Sequence, residues 1–222
     1  MQDFVNKGIY SYSEASKLLR FSAARIRGLV NGYKYPDKER VPVLNKQTIM
    51  YDNREYLSFY DLIEIKFIKY FLSKGVSRKE IIESYKKAQK ELKKEHPFAT
   101  RFTTDGQYIL ADNRKILLAV RSEQFEFREI LEQNIYEGIE FENDTPKNWR
   151  PFSDLQNIIL DPLYKYGQPI VKEYNILTKT LFDTYVAENN NIKTVSEWFD
   201  IPIHLIQEAV DFEKRLNQCS LS

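Results

Sequence analysis

Apolar residues recur at helical spacing along most of this chain, and only brief stretches alternate as strands do. Residues 10–19 read as a short helix with Ser13 as its cap, Glu14 in its first turn, and Ala15, Leu18 and Leu19 as its apolar stripe. Arg20-Phe21-Ser22 makes a turn. Ser22 is placed to cap a second helix over residues 23–30, with Ile26, Leu29 and Val30 inward and Arg25 and Arg27 outward. Asn31-Gly32 ends that helix. Two short helices joined in this way form a helix-turn-helix outline. Residues 41–44 and 48–51, on either side of Asn45-Lys46-Gln47, read as a hairpin, which would stand beside the second helix as a wing.

A stronger helix follows over residues 59–72, with Ser58 as cap and Asp61 in the capping-box position. Its apolar residues occupy more than one face, so it needs cover on two sides, from its own domain or from another subunit through Phe67 and Phe71. Ser77 and Glu80 begin the next helix, which runs to about residue 95 with one apolar stripe and a lysine-rich outer face. From residue 102 the texture changes to short hairpin-like runs, then a helical stretch at 128–136. Residues 143–154 read as a linker. Three helices close the chain, at 179–187, 192–199 and 202–216, the last pair repeating the helix-turn-helix outline. The expected fold is therefore α+β and predominantly helical. Its parts are residues 1–101, a short-strand connecting region at 102–155, and a three-helix module at 156–222.

Charge sharpens this division. The net charge is +1, but residues 1–101 hold 21 Lys+Arg against 12 Asp+Glu, and residues 102–222 hold 12 against 20. A basic half suits a polyanion, and an acidic half suits a different partner. No apolar run approaches the roughly 20 residues of a membrane-spanning helix. The first residues lack a signal core, and Cys219 is the single cysteine, so a cytoplasmic location is expected. Catalysis finds little support. His96 and His204 have no ligand spacing, His96 before Pro97 reads as a helix end, Cys219 lies in the tail, and no Gly-rich phosphate loop or Cys/His metal motif is present. No cofactor or metal is expected, and Glu137, Glu140, Glu142 and Asp144 read as a solvated acidic stretch.

In this order of parts, residues 10–95 resemble the MerR-type winged helix-turn-helix. Residues 156–216 resemble a small antitoxin-like helical domain, through Ile159-Leu160-Asp161-Pro162, Gly167-Gln168-Pro169-Ile170-Val171, Thr178 and Val195-Ser196-Glu197-Trp198-Phe199 with Pro202. Together they resemble VapB-type antitoxins of bacterial toxin–antitoxin pairs. The resemblance implies a repressor of its own operon that also binds a PIN-like nuclease toxin. Where MerR-type proteins follow the recognition-helix arginine with two aromatics, this chain has Arg27-Gly28-Leu29.

The expected contacts follow. Ser22, Ala23 and Ala24 present a small-faced helix start to the major groove, Arg25 can reach a guanine, and Arg27 faces phosphate. Arg20, Lys34, Arg40 and Lys46 flank them on turn and wing. The second helix of the C-terminal pair is apolar and then acidic, so Trp198, Leu205 and Ile206, like Phe67 and Phe71, are assigned to a dimer or partner interface. A homodimer would match a palindromic operator in double-stranded DNA. Two other readings compete: a protein-interaction adaptor that does not bind DNA, and a MerR-type regulator whose C-terminal half senses a small molecule.

Overall fold

In the computed structural model, which describes residues 7–35, 38–44, 49–101 and 134–218, the first helix starts one turn-residue pair earlier than its pattern suggests. Helix α1 (Tyr12–Leu19) is capped by Ser11, not Ser13. The Ser11 hydroxyl accepts from Glu14 N at 3.2 Å, and the Glu14 carboxylate accepts from Ser11 N at 2.7 Å. Helix α2 (Ala23–Asn31) begins at Ser22 as expected, with Ser22 Oγ accepting from Arg25 N. The expected pairing of 41–44 with 48–51 does not form. Two other hairpins take its place: β1 (Tyr33–Tyr35) with β2 (Lys38–Arg40), and β3 (Ile49–Tyr51) with β4 (Arg54–Tyr56). Residues 41–44 instead run beneath α2, where Val43 and Leu44 are buried and Val43 N donates to Leu29 O at 2.7 Å.

Helices α3 (Phe59–Ser73) and α4 (Arg78–Leu92) carry both expected capping boxes, Ser58 with Asp61 and Ser77 with Glu80. The two-sided apolar helix finds its second cover inside the chain. A 3₁₀ turn at Pro97–Ala99 lays Phe98 on Phe67 at 4.4 Å between ring centroids, and Tyr85 from α4 meets Phe98 edge-on at 5.1 Å. Phe67 and Phe71, expected to meet another subunit, are each 1% exposed, so this packing leaves them no area for a partner.

The strands and turns expected between residues 102 and 127, and most of the helical stretch at 128–136, lie outside the described residues, as do Lys46 and Cys219. Within residues 143–154, read above as a linker, β6 (Thr145–Trp149) pairs with β5 (Ile139–Glu142). The register shifts between Glu140 and Phe141 opposite Pro146. A proline is tolerated here because a two-stranded ribbon leaves one side of each strand unpaired. Beyond it, β7 (Ile158–Ile159), β8 (Ile170–Val171) and β9 (Ile176–Leu177) form a small antiparallel sheet. Helices α5 (Thr178–Ala187), α6 (Ile192–Phe199) and α7 (Ile203–Gln218) complete the C-terminal part. Leu205 and Ile206 of α7, also expected at an interface, are buried in the chain's own core. The fold is thus mixed α+β with short antiparallel sheets. No helix of the described residues is long and apolar enough to cross a membrane.

The two ends share one core. The buried cluster runs without a break from Tyr10, Ala15 and Leu18 through α3 to Val171, Ile206 and Phe212, and α1 packs against α7 as well as against α2 and α3.

Candidate nucleic-acid interface

The outer face of α2 begins with exposed Ser22 and Ala24 and continues with exposed Arg25, Arg27 and Asn31, while Ile26, Leu29 and Val30 face the core. Ala23, expected on the outer face, is half-buried and packs inward. That follows from helical spacing, because residue 23 lies three positions before Ile26 and shares its side. Both arginines rest on aromatic rings. The Arg25 guanidinium lies 5.7 Å from the centroid of Phe21, and that of Arg27 lies 5.2 Å from the centroid of Tyr12.

Arg27 therefore draws its aromatic support from α1. The glycine that follows it has a separate use. A Cβ on Gly28 would lie 2.0 Å from the Tyr33 ring, and Tyr33 OH donates to Ala24 O at 2.6 Å, so the missing side chain lets the first hairpin close against α2. Tyr12, Asn31 and Glu55 form a further brace. Asn31 Nδ2 donates to Tyr12 Oη at 3.1 Å and to Glu55 at 2.9 Å, and Tyr12 OH donates to Glu55 at 3.1 Å. Burial, with the Glu55 charge, pushes the Tyr12 hydroxyl up to about 12, so it stays a donor.

Two cations fix the ends of the helix pair. Lys69 of α3 donates to Leu19 O, at the C-terminus of α1, at 2.8 Å. Arg78 of α4 donates to Gly28 O at 2.6 Å and to Val41 O at 2.7 Å, joining α2 to the segment beneath it. Positive groups at helix C-termini satisfy the last carbonyls and oppose the helix dipole. Burial, then the nearby Arg20 charge, holds the Lys69 ammonium below its usual value. Between these braces lies an open cleft of about 520 Å³ whose lining includes Arg20, Phe21, Arg25, Tyr33, Lys69 and Arg78. No local pattern marks Lys69 or Arg78 as clamps, because their partners lie 50 residues away.

The other expected contacts divide. Arg20, in left-handed conformation at the end of α1, lies over the Phe152 ring at 5.0 Å, so it reaches toward the C-terminal part as well as toward the cleft. Lys34 and Arg40 fall on the paired strands β1 and β2, and Lys46 is outside the described residues. Trp198 on α6 is 64% exposed, as are, less fully, Val186 and Ile203 on the helices before and after it.

His96 does not end a helix: α4 stops at Leu92, and His96 leads into the Pro97–Ala99 turn. With buried Asp61 and Glu64 the half-buried His96 forms a trio whose ligand-type atoms lie within 4.8 Å of one another. Glu64 accepts from Phe98 N at 3.1 Å and from Tyr85 OH at 3.2 Å, and it pairs with His96 Nδ1 at 3.2 Å. Asp61 is bonded to Ser58 N and Oγ, both at 2.8 Å. Each carboxylate is already engaged by protein donors, and the trio locks α3 to the Pro97–Ala99 turn. In the acidic stretch, Glu140 pairs with Lys172 at 3.2 Å and Glu142 with Lys147 at 3.5 Å, so these residues hold a hairpin and its neighbour.

No protein-family model matches this chain, and a search of curated proteins finds no match. Among solved structures, the crystal structure of Rv2018 from Mycobacterium tuberculosis is similar. It superposes with a TM-score of 0.69 and 21% sequence identity, over 90% of this chain and 96% of that one. The likeness shows a shared fold across nearly the whole chain.

Proposed function

We propose that the chain is a DNA-binding repressor of its own operon and the antitoxin of a nuclease toxin, with α1 and α2 as a helix-turn-helix and the following hairpins as its wing. The observation that carries this reading is the outward face of α2, where small residues at the helix start precede exposed Arg25 and Arg27 beside a basic cleft. A helix that enters the major groove needs a slim leading end, and phosphates need cations near it. The rings beneath both arginines limit their freedom and lower the cost of fixing them on DNA.

The C-terminal part takes the protein partner in this reading. Trp198, Val186 and Ile203 present apolar side chains to solvent on three consecutive helices, and large exposed aromatics are favoured anchors of protein interfaces. Of the residues assigned to an interface from the sequence, Trp198 alone keeps that role, since Phe67, Phe71, Leu205 and Ile206 are buried.

Selection from a pool of random duplexes tests the DNA arm: enrichment of one motif also present upstream of the gene supports it, and no enrichment refutes it. Co-expression with the product of the neighbouring gene tests the toxin arm, which requires a complex that Trp198→Ala weakens and that suppresses a nuclease.

A further inference from the structure

A second concavity, which shares Arg20 with the cleft beside α2, collects further positive charge. Arg20 from the end of α1, Lys66 of α3, Arg150 just after β6 and Arg215 of α7 line one pocket of about 270 Å³, together with Glu137 and Asp154. Four cations face two carboxylates there. Asp154 is committed to Arg215 through two hydrogen bonds of 2.8 and 2.5 Å.

Among the described residues, Arg20, Lys66 and Arg150 form no ion pair. Lys66 Nζ donates instead to the carbonyls of Asn134 and Ile135. Arg150 donates through Nη1 to Gln156, and its Nε is buried without a hydrogen-bond partner. Such groups are rare in folded proteins, and an unseen ion is one of their ordinary explanations. The Phe152 ring holds two of the guanidiniums in place, with Arg20 at 5.0 Å and Arg215 at 5.4 Å from its centroid.

We propose that this pocket binds a small free phosphate-bearing anion, with Arg150 and Lys66 as its main contacts and Arg20 and Arg215 beside them. Cations arriving from four separate segments suit a tetrahedral dianion, whereas a planar carboxylate is satisfied by a single guanidinium fork. The volume lies just below the range of drug-sized ligand sites, which leaves room for a phosphate and a small substituent. Burial pushes the Lys66 ammonium down to about 8, and a bound anion would raise it again. The pocket joins the first helix to the last, so its occupant would touch both parts of the molecule.

The proposal stands apart from DNA binding, since a chain that binds no DNA can still take up phosphate here. DNA backbone phosphate is the other source of the same chemistry, because Arg20 also lines the cleft beside α2. Calorimetric titration of the whole protein with inorganic phosphate, at chloride-matched ionic strength and without DNA, tests the pocket. One phosphate per chain is expected, weakened about tenfold by Arg150→Gln and largely kept by Arg150→Lys. Arg215→Gln, measured in parallel, should also weaken it, so the test does not depend on one variant folding. Duplex binding by Arg150→Gln should be unchanged. Absence of saturable heat at millimolar phosphate, or wild-type affinity in both glutamine variants, overturns the proposal. So does a loss of duplex binding in Arg150→Gln, which would give the pocket to the DNA backbone.

Discussion

The hydroxyl of Tyr10 donates a 2.6 Å hydrogen bond to the carbonyl of Gly167, 157 residues away, in a fully buried setting. Around it, Ile9 N donates to Tyr166 O at 2.9 Å, Gln168 Nε2 donates to Ile9 O at 3.0 Å, and Tyr10 exchanges backbone bonds with Leu57. The segment before α1 is thus stitched to both α3 and the loop of the C-terminal part. This joint ties the helix pair to the C-terminal part within one shared core.

Tyr10→Phe should lower stability by about 1–3 kcal/mol, because it leaves the Gly167 carbonyl buried without a donor. Gly167→Ala should cost more. Residue 167 has φ +77, and a Cβ there would meet the Tyr10 hydroxyl at 2.3 Å. Denaturant unfolding followed by circular dichroism reads both. A single transition that shifts as a whole is expected, and a C-terminal part that unfolds separately at its original midpoint would contradict the shared core.

The cap of α1 distinguishes two serines that lie close in sequence. Ser11→Ala should cost about 1 kcal/mol, the usual value of an N-cap, while Ser13→Ala should have almost no effect. Equal costs, measured by the same unfolding assay, would remove the capping box from its place.

Stability should fall as pH rises above 6.5. Burial pushes the His96 imidazolium down, but its hydrogen bond to Glu64 and the charges of Glu64, Asp61 and Glu95 outweigh that, and the net displacement is upward from the usual 6.5. A group raised on folding stabilises fully below its unfolded value, and that stabilisation is lost as pH climbs through the folded value. Asp61 and Glu64 are also raised, chiefly by burial, so their contributions run in the same direction from a lower pH. Unfolding midpoints across a pH series should fall above 6.5 in the wild type and stay flatter in His96→Gln. Parallel slopes in the two proteins would refute a role for His96.

Gly28→Ala sets helix propensity against packing. Alanine gains about 1 kcal/mol in an unhindered helix interior, yet here its Cβ would overlap the Tyr33 ring and displace it from the Ala24 carbonyl. The variant should be less stable and should bind DNA more weakly, since the hairpin beside α2 loses its seat. A more stable Gly28→Ala protein would show that the ring shifts freely.

What could be read from the sequence was what local chemistry specifies. Ser58 with Asp61, Ser77 with Glu80, and Ser22 all cap where their spacing indicates, and α6 spans residues 192–199 as its period suggests. The Ser11–Glu14 box was also present, but Ser13, directly beside the acidic residue, offered a competing start. The hairpin expected at residues 41–44 has a similar origin, since Val43 and Leu44 are apolar because they lie under α2 and not because they pair, while Val41 and Pro42 stay exposed. A two-faced helix carries no information about which neighbour covers it, so Phe67 pointed to a second subunit although Phe98 of the same chain supplies the cover. In the candidate site, Arg25 and Arg27 were visible as outward charges at helical spacing. Phe21 lies only four residues before Arg25, whereas the Tyr12 ring under Arg27, the clamps Lys69 and Arg78, and the pocket around Arg150 arise from distant segments and leave no local trace.

The most direct test of the DNA-binding claim is fluorescence anisotropy with duplex DNA from the chain's own upstream region across a salt series, comparing wild type with Arg25→Ala/Arg27→Ala. Both side chains are exposed, so the double variant should keep its fold. The wild type is expected to prefer this DNA over random duplex and to lose affinity steeply with salt. The variant should lose the preference and show a log–log salt slope shallower by about 1–2, as for the loss of one or two phosphate contacts. Equal affinity and slope in both proteins, or a wild type that does not distinguish the two duplexes, would contradict it.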